Sequence, residues 1–319
     1  MRALVTGASG FVGGYLAAAL ARDGHEAAGI DLAPPGGHPA RPERFTVERC
    51  DLLDTRAFEE ALARHRPDTI FHLAAQSSAA RSFEDPRGTF EANVTATVAL
   101  LEAVRRVVPK ARVVLTGSCE EYGRRHPEEM PLGEDAPVEP VSPYAASKAA
   151  QSLVALQYHR AFGLDAVLTR SFSHTGPGQR DLFVLPSFAR QCATIAAGRG
   201  ERVIRTGNLE VTRDFLDVRD VARAYIAIAR GGTAGAVYNV CSGEGLLLRE
   251  ALKTIIDLAG GGIAVETDPA LLRPADVPVL VGDNGRLRAD CSWEPEIDRR
   301  RMLEDLYEWW SGRVAVVRD

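Results

Sequence analysis

Short apolar or β-branched runs alternate in the first half of the chain with longer stretches whose apolar residues recur every three to four positions. The runs are RALVTG, EAAGID, DTIFHLAA, ARVVLTGS and DAVLTRSF. Between them the spacing predicts helices from about Val12, through TRAFEEALARH, through GTFEANVTATVALLEAVRRV and from Tyr144. Strands separated by helices of this length need right-handed crossovers, which give βαβ units and a mostly parallel sheet. The predicted fold is α/β, a doubly wound parallel sheet over residues 1–170. After Arg170 the rhythm changes: HTGPGQ and GRGERVIRTGNLEVTRD read as loops, then DFLDVRDVARAYIAIAR as a helix and AVYNVCSG as a buried strand. Residues 214–242 are thereby expected to return to the sheet, while 171–213 and 243–319 form a smaller, C-terminal substrate-binding lobe. No flexible linker or repeat separates the two.

Composition narrows the function. With 45% hydrophobic and 25% charged residues, the 319-residue chain can bury one large core or two smaller ones. A net charge of -5 argues against nucleic acid or an anionic membrane as the main partner. No run reaches the roughly 18 apolar residues of a membrane span. The apolar start is broken by four glycines from Gly7 to Gly14, so it reads as folded structure and the expected location is the cytoplasm. Five scattered cysteines without CxxC spacing, and seven histidines without HxH or HExxH, suggest neither a disulfide framework nor a metal site.

VTGASGFVGG places Gly7, Gly10 and Gly13 between the first strand and the first helix. Glycines there let the backbone approach a pyrophosphate, and the helix start, Phe11 and Val12, offers amides and a positive dipole end. Between a strand and a helix at the start of a βαβ unit, the turn is expected to be that of a dinucleotide-binding Rossmann domain, a purely structural turn being the alternative. Asp31 ends the second strand, 18 residues beyond Gly13, where a carboxylate accepts from both ribose hydroxyls and repels a 2′-phosphate. NAD(H) is therefore favoured, with NADP(H) as the alternative; an acidic loop cap is the plainer account of Asp31. Asp51 and Leu52 in CDLLD follow the third strand, where the carboxylate can meet the adenine amino group. Leu73, Ala74 and Ala75 end the fourth in small residues that permit close approach by a cofactor or satisfy packing.

Tyr144 and Lys148 stand four apart in SPYAASKAA, on one face of the predicted helix. Alone, the pair also fits a solvated helix face. With the glycine turn, HLAA, Asn93, TGSCEEYG and YAASK in this order, however, the chain resembles the extended short-chain dehydrogenase/reductase family. The resemblance implies that Tyr144 is the acid/base, Lys148 holds the nicotinamide ribose and lowers the tyrosine pKa, and Ser118 completes a triad. It also brings Asn93 and His174 to the cofactor. A non-catalytic dinucleotide sensor on the same fold would have no need of the acid/base tyrosine.

The second half, through RSFSHTGPGQ, GNLEVTRDFLDVRDV and LRPADVPVLVGDNGRL, is similar to GDP-4-keto-6-deoxy-D-mannose reductases and GDP-mannose 4,6-dehydratases, the reductases more so. That resemblance implies a GDP-hexose substrate, with Arg213 and Arg273 gripping its diphosphate and Ser173, Val184, Arg190 and Asn208 along the cleft. A structural salt bridge is the alternative for each arginine, and for Arg213, flanked by Asp214, the two readings are nearly balanced. Ser173 stands where the family usually has Asn, and the shorter hydroxyl leaves that contact open. A reductase needs only a proton donor beside the hydride source. A dehydratase needs a further acid and base, for which Glu120 is the candidate; a C4 epimerase would use the same triad. By the same resemblance, the apolar surface of the Tyr144 helix and of residues 95–108 suggests a homodimer through a four-helix bundle, or burial in the monomer core.

Overall fold

The structure, a computed structural model, describes residues 1–33, 38–272 and 277–316. Its strands are β1 (Arg2–Thr6), β2 (Glu26–Asp31), β3 (Val47–Arg49), β4 (Thr69–His72), β5 (Arg112–Ser118), β6 (Ala166–Ser171), β7 (Ser173–Thr175), β8 (Val203–Thr206), β9 (Thr212–Asp217), β10 (Val237–Val240), β11 (Gly245–Leu247), β12 (Ala264–Thr267) and β13 (Val279–Leu280). The α-helices are α1 (Phe11–Arg22), α2 (Thr55–His65), α3 (Ala79–Glu84), α4 (Pro86–Phe90), α5 (Ala96–Val107), α6 (Pro143–Phe162), α7 (Val184–Ala196), α8 (Val218–Gly231), α9 (Leu248–Leu258), α10 (Gly285–Cys291) and α11 (Arg299–Val316).

Seven strands form one sheet in the order β10-β6-β5-β4-β1-β2-β3, every neighbour parallel. The order reverses between β1 and β4, which opens a crevice at their carboxyl ends. On one face α1 and α8 pack Leu16, Leu20, Val221 and Tyr225 against Val5, Phe71, Val114 and Val240. On the other, Phe58, Leu62, Leu100 and Ala155 cover Leu4, Ile70, Val113 and Leu168. Each of these leucine side chains is fully buried, contributing about 1.5–3 kcal/mol. The second lobe gathers α7, α9 and α11 around Phe188, Phe215, Leu252, Met302 and Leu306. Its sheet centres on β9, which pairs with β7, β11 and β13; β8 and β12 make a separate parallel pair.

Three predicted elements differ from the structure. The helix through residues 88–107 is three pieces, because a π turn over Glu91–Thr95 separates α4 from α5 and turns Asn93 fully inward. DFLD is not helical: it lies in β9, and Asp217 caps α8 by accepting from the Arg219 amide at 2.8 Å. The chain thus returns to the flank of the large sheet only at Val218. The loop predicted through GRGERVIRTG also contains β8.

Candidate active site

The crevice is built from β1 and β4, where Thr6 and His72 are register partners and the two following loops run side by side. Gly7 has φ +69, and a Cβ there would lie 2.7 Å from the Ala74 amide nitrogen. A Cβ on Gly13 would meet the Ala8 carbonyl oxygen at 2.7 Å. Gly10 forms the N-cap of α1 without a side-chain cap, and the first turn, beginning at Phe11 and Val12, contains no acid. Ser9 Oγ, buried on the same turn, has no hydrogen-bond partner among the described residues. A glycine cradle, an uncapped helix start and an orphaned hydroxyl fit the pyrophosphate of a dinucleotide. Asp31 lies at the end of β2 and accepts from the Ser9 amide at 2.8 Å and the Ala33 amide at 3.1 Å, so it also holds the turn. Asp51 is exposed and accepts from the Leu53 amide at 2.9 Å, with Leu52 buried beneath it. Leu73, Ala74 and Ala75 are half-buried along the crevice. Asn93 accepts from the Gln76 amide at 2.7 Å and donates to the Gln76 carbonyl and to Ser147 Oγ, tying the β4 loop to α6.

The next two strand ends bring in the candidate chemistry. Helix α6 starts because Ser142 accepts from the Ala145 amide at 3.0 Å and Pro143 presets the first turn; it stops at Gly163, in the left-handed region. Tyr144 in that first turn lies beside Ser118, the last residue of β5, close enough for the serine hydroxyl to favour the phenolate through a hydrogen bond. Burial, then the Glu120 charge, push the phenol pKa up, against the pull of that hydrogen bond. The lowered tyrosine pKa expected from a neighbouring ammonium is not what the protein itself imposes. Lys148 Nζ donates to the Thr116 carbonyl at 2.8 Å and to Gln151 Oε1 at 3.0 Å. Burial lowers the Lys148 pKa to about 8, partly offset by Glu121.

The adjacent glutamates part company here. Glu121 is fully buried, closes a capping box on the Ser118 amide at 2.9 Å, and accepts from Ser152 Oγ at 3.1 Å and Arg170 Nε at 3.2 Å. Arg170 lies over the Tyr122 ring, 4.6 Å from its centre. Glu120 is half-buried, accepts from Ser142 Oγ at 3.4 Å, and is the largest charge acting on Tyr144.

From the second lobe, Ser173 and His174 enter on β7 beside β9. His174 stacks on Phe11 at 6.3 Å and donates from Nδ1 to the Phe172 carbonyl at 3.0 Å; burial lowers its pKa. Arg213 on β9 is half-buried, donates to its neighbour's carbonyl, Thr212 O, and lies close enough to Cys119 to favour its thiolate, although burial pushes that thiol pKa well up. The adjacent Asp214 spends its carboxylate on the Ser242 amide and hydroxyl and on the Gly243 and Gly282 amides, at 2.6–3.3 Å. Val184 opens α7. Arg190 is exposed and pairs with Asp181 at 2.7 Å, and Asn208 accepts from the Glu210 amide at 2.9 Å. Arg273 falls outside the described residues. Spacing along the chain does not reveal Glu121, Arg170 and Gln151; a charged residue in the apolar β6 run and the polar end of the β4 run, His72, are the available signals.

A glycine turn at the switch point of a parallel sheet, with Ser118, Tyr144 and Lys148 gathered beside it, is the architecture of an extended short-chain dehydrogenase/reductase enzyme. The family profile described as GDP-mannose 4,6 dehydratase matches residues 4–306, and the chain belongs to that family. It is 35% identical to a GDP-6-deoxy-D-mannose reductase of Pseudomonas aeruginosa over 98% of both chains. It is 33% identical to a UDP-glucose 4-epimerase of Mycolicibacterium smegmatis, over 98% of this chain and 99% of that one. Among solved structures, RMD from Pseudomonas aeruginosa complexed with NADPH superposes with a TM-score of 0.86 at 32% identity, covering 98% of this chain and 100% of that one.

Proposed function

We propose that the chain reduces the C4 keto group of a GDP-4-keto-6-deoxyhexose with a nicotinamide dinucleotide. The likeness to the Pseudomonas aeruginosa reductase over 98% of both chains carries this reading. The electrostatics favour the same direction of reaction. Burial and Glu120 keep the Tyr144 phenol protonated, which suits a group that must give a proton to a carbonyl oxygen. In this reading Ser118 orients the C4 oxygen toward Tyr144, and Lys148, charged below pH about 8, holds the nicotinamide ribose. Gly7, Gly10 and Gly13 with the start of α1 hold the pyrophosphate, and Asp31 the adenosine ribose, favouring NAD(H). Asp51, Leu52, Leu73, Ala74, Ala75, Asn93 and His174 line the rest of that cleft or brace it. A nicotinamide dinucleotide bound there supplies the hydride. RMD, solved with NADPH, supports NADP(H) as the alternative.

In the same reading, residues 171–213 and 243–319 form the nucleotide-sugar lobe, with Arg213 and Arg273 on the diphosphate and Ser173, Val184, Arg190 and Asn208 nearby. Exposed Val98 on α5, and Leu153 and Phe162 on α6, support a homodimer through those helices. Five free cysteines support a cytoplasmic location.

The second reading, a GDP-mannose 4,6-dehydratase, is favoured by Glu120, a half-buried carboxylate acting on Tyr144. One assay separates the two. Purified protein is incubated with GDP-mannose alone, then together with a known dehydratase and NADH or NADPH. Cofactor consumption only when the 4-keto sugar is present supports the reductase and ranks the two cofactors. Loss of water from GDP-mannose by this protein alone overturns it in favour of the dehydratase.

A further inference from the structure

Beneath the crevice runs a line of side chains that the reading above leaves without a role. Thr6, His72, Thr97 and Gln151 are each fully buried, and Lys148 is 3% exposed. The donors along this line can be assigned without ambiguity. Lysine only donates, so the Gln151 atom 3.0 Å from Lys148 Nζ is the carbonyl oxygen, and the amide nitrogen faces Thr97 Oγ1 at 2.9 Å. The Thr97 hydroxyl gives its one proton to the Asn93 carbonyl at 2.7 Å. It must therefore accept from His72 Nε2 at 2.9 Å, which leaves His72 Nδ1 to accept from the Thr6 hydroxyl at 2.8 Å. Thr6 Oγ1 in turn accepts from the Ala74 amide at 3.3 Å. With His72 neutral and protonated on Nε2, the line is thus saturated in one orientation. Burial, aided by the Lys148 charge, keeps the His72 pKa down near about 3.

We propose that Gln151 is a positioning residue for Lys148, and that through Thr97 and His72 it fixes that ammonium relative to the strand carrying the glycine turn. The proposal rests on the reading that Lys148 serves the reaction. The Thr116 carbonyl alone leaves the ammonium free to swing; Gln151 supplies the second acceptor, and its own amide is locked by a threonine with no free valence. The ionisable groups facing this ammonium are Glu121 on the turn after β5, His72 at the end of β4, and Tyr144 one turn earlier on α6.

The chain has three lysines, of which Lys110 and Lys253 are exposed, so the 13Cε signal of Lys148 can be followed by NMR in lysine-labelled protein. Gln151→Met should lower the Lys148 titration midpoint by about one pH unit, since the charged form loses an acceptor, and weaken NADH binding about tenfold. Gln151→Glu should raise the midpoint by about one unit or more. Thr97→Val should shift it in the same direction as Gln151→Met, and Thr97→Ser, which keeps the hydroxyl, should restore it. A purely structural role would lower thermal stability without moving the midpoint. Midpoints and NADH affinity unchanged in both Gln151 variants overturn the proposal; if Gln151→Met does not fold, an unchanged midpoint in Gln151→Glu does so alone. Failure of the functional reading would look different: Lys148→Met would keep turnover while the Gln151 variants still moved the midpoint.

Discussion

The two walls of the cleft are made differently. On the sheet side, the glycine turn, Asp31, Ser118 and the loop after β4 all sit at the carboxyl ends of parallel strands. They are braced by buried bonds such as Ser118 to Glu121 and Lys148 to Thr116. In the second lobe, Arg190 spends its charge on an exposed ion pair and Asn208 on a loop turn, while β7, β11 and β13 are only two or three residues long. Under the proposed function, the braced wall suits chemistry common to many substrates and the lighter wall suits recognition, where small rearrangements alter affinity without dismantling the proposed acid/base site.

Substitutions can break or sharpen that contrast. Tyr144→Phe should lower turnover by about 10²–10⁴-fold while leaving folding and dinucleotide affinity intact, as read by steady-state kinetics and calorimetry. Near wild-type turnover would remove Tyr144 from the mechanism. Glu121→Gln strips the charge opposite buried Arg170 and should cost roughly 3–5 kcal/mol in urea unfolding, whereas Glu120→Gln should cost less than about 0.5 kcal/mol. Equal losses would mean that the two glutamates are not divided between bracing and chemistry. Arg213→Ala should raise KM for the nucleotide sugar about tenfold with kcat little changed, and a fall in kcat alone would place Arg213 with the braced wall.

His72 contributes on the acid side. Unfolded, it takes a proton near pH 6.5; folded, only near about 3. Between these values the unfolded chain binds more protons, so stability falls on acidification by up to about 1.4 kcal/mol per pH unit from this group. His72→Asn should flatten that part of the stability curve, and an identical slope would mean that His72 protonates in the native state. A comparably small effect is expected from Arg190→Ala, whose exposed pair contributes less than about 0.5 kcal/mol; a large rise in KM would show that the second lobe holds substrate harder than its packing suggests.

What the sequence revealed follows the same division. Six strands of the large sheet were legible because each is a local apolar run bounded by turn residues, whereas β3, Val47–Arg49, is two-thirds charged and shows no such run. DFLD was not, because four residues of mixed polarity fit a strand or a helix, and only pairing with β7 and β11 decides for the strand. The π turn at Asn93 was invisible because it preserves the helical spacing on either side. In the site, Tyr144 and Lys148 announce themselves by spacing within one helix. Gln151, Thr97 and His72 lie on three separate elements, and no pattern along the chain joins them. Asp214, next to Arg213 in sequence, spends its carboxylate on Ser242, Gly243 and Gly282, which no pattern along the chain foretells.

The order of assembly on the ribosome is also set by the sheet. β6 ends at Ser171, but its outer neighbour β10 begins only at Val237. For the time needed to synthesise the intervening chain, on the order of seconds, the backbone groups along one edge of β6 lack their final partner in the nascent protein. A chaperone that shields strand edges would find its interval there, and translation slowed between these two strands would lengthen it.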